Sequence, residues 1–280
     1  MVVMLGWPVV SAVVISLQQL DLAQFFSGET VWVGFDNYRE ILTDSFFWTV
    51  TARTVVFTVV NVLLTMAVGL GVALLLGRVG RPLRLTLSAV LVVVWAIPQI
   101  TATVVFQWLF DQQFGVVNHV LTSLGGDFRD HSWFSSGLST FAIITLIVVW
   151  QAVPFVALSL YAAMTAIPAE LREAVAADGA GPWHAYWAIT WPAIKSMVMV
   201  LTFLSVIWDF KAFTQIYAVR GGGPDRSTIT LSLYAYIEGI GKNHYGVAAA
   251  ASVVMVLLLL GLLAAYLRLM VRSLDEDMTR

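Results

Sequence analysis

The sequence predicts an all-α integral membrane protein with six transmembrane helices, as judged from composition, charge content and the length of its apolar runs. Hydrophobic residues make up 59% of the 280 residues, charged residues make up 11%, and the mean hydropathy is +0.85. A soluble chain carries roughly twice that share of charge. A span takes about 20 mostly apolar residues, and several runs reach that length. They lack the alternation of β-barrel strands, so internal backbone bonding predicts helices.

The six predicted spans follow these runs along the chain. Five runs contain no charged residue, namely 1–20, 54–77, 85–110, 132–169 and 246–267, and a sixth, 196–219, is interrupted only by Asp209 and Lys211. The N-terminal run lacks the basic region and the clear cleavage site of a signal peptide, so we interpret it as the first span. A single transmembrane domain over 1–280 is predicted, with spans at about 1–20, 51–77, 85–110, 137–166, 196–219 and 246–270 and an inner loop at 167–195.

The distribution of lysine and arginine predicts the orientation of the bundle. Positive residues accumulate in short cytoplasmic loops. With the N-terminus inside, the inner segments hold more Lys and Arg than the outer ones, and the cluster of Arg78, Arg81 and Arg84 is the clearest example. We therefore expect both termini in the cytoplasm and the apolar helix faces in contact with membrane lipid.

The sequence carries no catalytic or metal-binding constellation. It has no cysteine, and its four histidines are scattered through predicted loops without the spacing of metal ligands. It also lacks a Gly-x-Ser-x-Gly nucleophile elbow and a nucleotide-binding P-loop. We therefore predict a transport subunit rather than an enzyme, with no metal and no cofactor held by this chain. The net charge of −2 gives no reason to expect nucleic acid as a partner.

The loop between the fourth and fifth spans differs from ordinary loop sequence. Pro168 ends the fourth span, and Glu170 and Glu173 lie in the first turns of a short helix, where the helix dipole favours acids. Asp178-Gly179 then stops this helix, and Pro192 marks the turn into the fifth span. A short helix between Gly and Pro hinges is suited to docking against a partner. From the residues alone, an interfacial connection between two spans is an equal alternative.

Five positions of this loop match a family pattern. The pattern is E-A-A, three residues, G, nine residues, I-x-L-P. The positions that match it are Glu173, Ala174, Gly179, Ile189 and Pro192. Val stands in place of the second alanine of the pattern, and Trp stands in place of its leucine. The loop thus resembles the EAA loop of binding-protein-dependent ABC permeases. The resemblance implies the type I importer permease fold, with a cytoplasmic coupling helix that inserts into an ATPase subunit. The ATPase-coupling residues it implies are Glu170, Glu173, Ala174, Asp178, Gly179, Ile189 and Pro192.

Further motifs resemble the carbohydrate-uptake branch of this family, in particular its maltose-F-like members. They include Pro154-Phe155, the loop 34–38, and the turn 221–224 followed by Ser227-Thr228. This resemblance implies import of a sugar or small oligosaccharide across the bacterial inner membrane by alternating access. The implied partners are a second homologous permease, two copies of an ABC ATPase that bind ATP and Mg²⁺, and an extracytoplasmic solute-binding protein or lipoprotein. Candidates for docking that protein, unless they form a purely structural turn, are Gly221, Gly222, Gly223 and Pro224.

Polar groups predicted at membrane depth are candidates for the translocation pathway, because such groups face protein or water rather than lipid. Asp209, Lys211 and Gln215 lie in the fifth span, where Lys211 and Gln215 are four residues apart and share a helix face. Packing against the sister permease, or snorkelling toward the outer surface, is the alternative. Weaker candidates are amides that often only hydrogen-bond between helices: Gln151, Gln99, Asn61 and Gln107.

Two prolines and one arginine carry structural expectations. Pro98 and Pro154 are expected to break the third and fourth spans and to leave carbonyls free near the midplane, as transport pathways often require. Arg53, at the start of the second span, is expected to snorkel to the outer interface.

Two other functions stay open. A permease of the same family that imports glycerol-3-phosphate or another small polar solute would carry the same coupling loop. A stand-alone secondary transporter would show inverted repeats and paired intramembrane acids, and Asp209 is the only such acid that is evident in the sequence.

Overall fold

A computed structural model describes residues 2–168, 170–171 and 181–278, and over these ranges the chain is mostly helical. The helical class predicted from the apolar runs is thereby confirmed. The described ranges also contain two short antiparallel strands, β1 (Gln18–Gln19) and β2 (Val31–Trp32), in which Gln18 lies opposite Trp32. The sequence does not predict these strands, because two residues are too few to form a recognisable alternation.

The segment that follows the first helix, predicted to be the first outer loop, is folded against the end of that helix. Its elements are α1 (Val2–Ser16), α2 (Leu22–Ser27) and α3 (Asp36–Thr43). The buried Asn37 side chain donates to the carbonyl oxygens of Ser16 and Gln18, each at 2.9 Å. The Tyr38 hydroxyl lies 2.6 Å from Ser16 Oγ. These bonds attach α3 to the C-terminal end of α1.

Long apolar helices follow. They are α4 (Ser45–Arg78), α5 (Arg81–Ala96), α6 (Gln99–Leu109) and α8 (Gly137–Thr165), with the short α7 (Val116–Ser123) before α8. After the predicted coupling loop come α9 (Pro182–Ala185), α10 (Trp191–Phe210), α11 (Thr214–Arg220), α12 (Leu231–Tyr236) and α13 (Tyr245–Met278), with π turns at Tyr186–Thr190 and Ile237–Gly241. Large apolar side chains such as Val56, Leu85 and Leu257 are exposed on these helices, as expected where lipid surrounds the protein.

Four helical stretches in the described residues are long and apolar enough to cross a membrane: Ser45–Arg78, Gly137–Thr165, Pro182–Arg220 and Tyr245–Val271. A fifth span results if α5 and α6, which meet at an angle of 101°, are counted together. The N-terminal helix contributes a shorter apolar stretch, Gly6–Ser16. The exact count of six therefore stays a prediction.

The two intramembrane prolines behave differently. α5 and α6 are separate helices that meet at Pro98, so the predicted break there is confirmed. The prediction for Pro154 is wrong, because α8 continues through this residue. Around it the helix packs through the buried side chains of Val153, Val156 and Ala157. Such packing holds a proline-containing membrane helix together although one backbone hydrogen bond is missing.

The chain divides into two compact units, each with its own core. The first comprises the residues up to 58, 103–144 and 210 onward, and in it α1 packs along α13. The second comprises 59–102 and 145–209. Its core is formed by Ala73, Val156, Leu160 and Leu201.

A glycine allows two helices of the second unit to pack closely. A Cβ added at Gly69 on α4 would overlap the Val156 side chain on α8. Small residues at helix contacts are common in membranes. In lipid no hydrophobic driving force brings two helices together, so they depend on the van der Waals packing that close approach allows.

Candidate functional site

Most of the predicted coupling helix lies outside the described residues. Four predicted coupling residues lie outside the described ranges: Glu173, Ala174, Asp178 and Gly179. Glu170 is described, and its side chain is exposed. Ile189 and Pro192 are described as well and belong to the helical segment that follows. The coupling roles of all seven residues stay predictions.

The segment after the coupling loop is one helical run with a π turn inside it. Tyr186–Thr190 adopts the π conformation, which includes Ile189, and α10 follows without a gap. The prediction that Pro192 forms a turn is wrong, because this residue lies in the first turn of α10. A proline ring clashes with the carbonyl four residues earlier in an α-helix. The wider π turn directly before Pro192 relieves that crowding.

The predicted docking turn begins where α11 ends. Gly221 terminates this helix with a φ of 57° and donates its N–H to the carbonyl of Tyr217 at 2.9 Å. Gly222 has a φ of 94°, and a Cβ at this position would overlap the Ile229 side chain. Glycine is therefore required at Gly222 by backbone conformation and by space.

Hydrogen bonds from Ser227 and Thr228, which follow the turn in the sequence, hold it closed. The N–H of Thr228 donates to the carbonyl of Gly222 at 3.0 Å, and its hydroxyl donates to the carbonyl of Gly223 at 2.9 Å. The Pro224 carbonyl accepts the N–H of Ser227 at 2.8 Å. The four predicted docking residues thus form one compact structural unit, and its surface is presented by a fixed backbone.

Arg53 holds the segment that follows this turn. Its Nη1 donates to the carbonyl oxygens of Arg226 and Ile229, each at 3.0 Å. The neighbouring Thr54 Oγ1 accepts the N–H of Leu231 at 2.9 Å. The snorkelling prediction missed this role.

Gln151 connects α8 to the break between α5 and α6. Its Nε2 donates to the carbonyl oxygen of Ile97 at 2.8 Å, directly before Pro98. The Oε1 of Gln151 is buried and has no hydrogen-bond partner among the described residues. One helical turn further on, Phe155 contacts Trp95 and Trp208, with ring centroids 6.0 and 5.4 Å apart. A buried acceptor and three aromatic rings therefore lie in the second unit.

The other pathway candidates are divided between the two units. Asn61 is fully buried, Asp209 is 6% exposed and Gln99 is exposed, and all three belong to the second unit. Lys211 is exposed, Gln215 is 5% exposed, and both belong to the first unit. The prediction that Lys211 and Gln215 share a face of one helix is wrong, because α10 ends before Lys211 and α11 begins after it.

Gln107 has the inter-helix role that is common for membrane amides. Its Nε2 donates to the carbonyl oxygens of Ala218 and Val219, at 3.0 and 2.8 Å, at the end of α11. The sequence alone does not identify these acceptors, because they are backbone groups more than a hundred residues away. Within the described ranges, no group of three or more His, Asp or Glu residues is arranged to hold a metal ion.

Comparison with known proteins gives matches along nearly the whole chain. Residues 69–279 match the family described as binding-protein-dependent transport system inner membrane component. The chain is 51% identical over 278 residues to DasB, the diacetylchitobiose uptake system permease of Streptomyces coelicolor, covering 99% of this chain and 85% of the relative. It is 32% identical over 243 residues to MalF, a trehalose/maltose transport system permease of Thermococcus litoralis, covering 87% and 81%.

A solved structure shares the fold. The crystal structure of a bacterial ABC transporter involved in the import of the acidic polysaccharide alginate superposes with a TM-score of 0.79. The superposition covers 86% of this chain and 84% of that chain, at 20% sequence identity. At this identity the likeness concerns the helical fold alone.

Proposed function

Because this chain belongs to the family of binding-protein-dependent transport system inner membrane components, we propose that it is a permease subunit of an ATP-driven importer for a sugar or small oligosaccharide. The observation that carries this proposal is the 51% identity with a diacetylchitobiose uptake permease over 99% of the chain. A second relative belongs to a trehalose/maltose system. Both relatives are named for saccharides, which favours a sugar over glycerol-3-phosphate.

The proposed architecture has six spans, with α1 as the first and the α5–α6 pair as the third. Both termini then lie in the cytoplasm. The loop 167–195 forms the coupling helix, in which Glu173 pairs with a basic residue of the ATPase and Gly179 permits the turn that follows. The spacing of the EAA-like positions and the Arg78, Arg81 and Arg84 cluster support this orientation.

The proposed assembly contains this permease, a second homologous permease, two ABC ATPases and an extracytoplasmic binding protein. ATP and Mg²⁺ are bound and used by the ATPase chains. The rigid turn Gly221–Pro224 supports binding-protein docking at the outer end, because a preformed loop loses little entropy when a partner binds. Gln151 supports a pathway role because a buried amide with a free acceptor can bond a sugar hydroxyl.

Uptake of labelled sugars tests the proposal. Cells that lack the gene are expected to lose uptake of diacetylchitobiose, maltose or trehalose, and the wild-type gene is expected to restore it. Uptake of glycerol-3-phosphate, with none of the three sugars transported, would contradict the sugar assignment. Restoration of uptake without any ATPase partner would contradict the importer assignment and favour a stand-alone transporter.

A further inference from the structure

An open cavity of about 390 Å³ lies in the first unit, beside the C-terminal ends of α6 and α11. Its lining includes no residue of the predicted docking turn Gly221–Pro224, which begins directly after Arg220. Its volume is in the range of small-molecule sites, which span roughly 300–1,000 Å³. In the proposed topology both helix ends are at the outer face, so the cavity opens to the extracytoplasmic side.

Three residues that line the cavity, Gln107, Phe134 and Arg220, are held by long-range contacts. Both Nε2 protons of Gln107 are directed to the carbonyls of Ala218 and Val219, which leaves its Oε1 as an acceptor. The guanidinium of Arg220 lies over the Phe134 ring, 5.2 Å from its centre. A cation held against an aromatic face keeps its remaining N–H groups available as donors.

The rim is a rigid turn that carries an exposed ring and two amides. The Asp111 carboxylate accepts the N–H groups of Gln113 and Phe114, at 2.8 and 2.9 Å. The buried Asn118 side chain donates to the carbonyl of Gln112 at 3.2 Å. The Phe114 ring is 76% exposed. Within the described part of the chain, the side-chain amides of Gln112 and Gln113 make no hydrogen bond.

The charges of this cavity balance. The backbone N–H groups of Phe114 and Gln113 lower the pKa of Asp111, and the positive charge of Arg220 acts in the same direction. The carboxylate is therefore ionised at neutral pH and offsets the guanidinium. A site with one charge of each sign, amides that both donate and accept, and an exposed ring is poorly suited to a simple ion. It fits a ligand with many hydroxyl groups and an apolar ring face.

We propose that this cavity binds a saccharide at the outer mouth of the permease. One sugar ring stacks on Phe114, and its hydroxyl groups bond to Gln107 Oε1, the Gln113 amide and the Arg220 guanidinium. Such a site raises the local sugar concentration between release from the binding protein and entry into the membrane. The inference rests on the proposed function for the choice of a sugar as ligand.

The test is sugar affinity of the complete importer in lipid nanodiscs without binding protein, measured by saturation-transfer-difference NMR. The probes are diacetylchitobiose, maltose and trehalose. Phe114→Ala is expected to weaken binding of at least one of them roughly tenfold, as loss of an aromatic contact predicts, and Gln113→Ala is expected to weaken the same sugar. The matched control is Phe26→Ala, since Phe26 is 79% exposed and lies outside the cavity. It is expected to bind like wild type.

The outcomes separate this inference from the proposed function. Equal affinities in the Phe114→Ala and Phe26→Ala importers, or no binding of any probe by wild type, would overturn the cavity proposal even if cells take up the sugars. If sugar binding depends on Phe114 but cells take up none of the three sugars, the result would support saccharide binding in the cavity and contradict the proposed sugar import.

Discussion

In the N-terminal part of α4, the guanidinium of Arg53 donates to the backbone carbonyls of Arg226 and Ile229. The segment between the docking turn and α12 contains no helix or strand, so its backbone groups need partners from elsewhere. A charged donor forms a stronger bond than a neutral one. One side chain on a long apolar helix thereby holds a loop that is far away in the sequence.

The substitution Arg53→Gln is expected to destabilise the segment between the Gly221–Pro224 turn and α12. It removes charge-assisted hydrogen bonds that contribute about 1.5–3 kcal/mol each, and the shorter amide does not reach both carbonyls. We expect a lower unfolding temperature of the purified importer and weaker capture of the binding protein. Arg39→Gln is the control, because the Arg39 side chain is exposed and has no hydrogen bond or ion pair within the described ranges. Equal behaviour of the two variants would contradict the anchoring role.

At the scale of elements, the broken pair α5–α6 depends on a third helix. Pro98 explains why the helix stops, since proline has no N–H to donate and disfavours helical backbone in the residue before it. The bend of 101° also needs donors for the carbonyls that leave the helical pattern, and Gln151 on α8 supplies one to Ile97. Pro98 by itself predicts the break, whereas the sequence does not predict the hydrogen bond from Gln151 that supports it.

Gln151→Leu keeps the size of this side chain and removes its donor. The buried carbonyl of Ile97 then lacks its amide partner, which is expected to cost about 1–3 kcal/mol. We expect a lower unfolding temperature and slower sugar uptake per importer. Gln24→Leu serves as the control, because it removes an amide whose side-chain bond, from the N–H of Asp21 at 3.3 Å, is local to the start of the six-residue helix α2. Unchanged stability and uptake in Gln151→Leu would show that the bond to Ile97 supports neither the bend nor transport.

The coupling loop is the second element with a testable role. Gly179→Trp is expected to abolish sugar uptake while the importer still assembles, because the family resemblance places a tight turn and close packing at Gly179. Gly181→Trp is the matched control, since a Cβ at Gly181 meets nothing within 4 Å, and it is expected to retain uptake. Normal uptake by the Gly179→Trp importer would contradict the predicted coupling role of this loop.

At the scale of the whole molecule, the proposed topology can be tested with single cysteines, because the chain has none of its own. Ser123 and Gly80 are exposed at opposite predicted faces. In intact spheroplasts, a membrane-impermeant maleimide is expected to label Ser123→Cys, and to label Gly80→Cys only after permeabilisation. The reverse pattern would invert the topology, and labelling of both positions in sealed cells would contradict the span assignment.

The sequence by itself determined the membrane class, the approximate positions of the long apolar helices, the break at Pro98 and the family. These features depend on local composition and short-range spacing, which are visible without a fold. Only the tertiary structure decided that Pro154 stays inside a helix, that Arg53 anchors the segment after the Gly221–Pro224 turn, and that Gln107 and Gln151 bond to distant backbone carbonyls. The reason is physical: a backbone acceptor has no side-chain signature, so a polar residue's partner is known only once packing brings the two segments together.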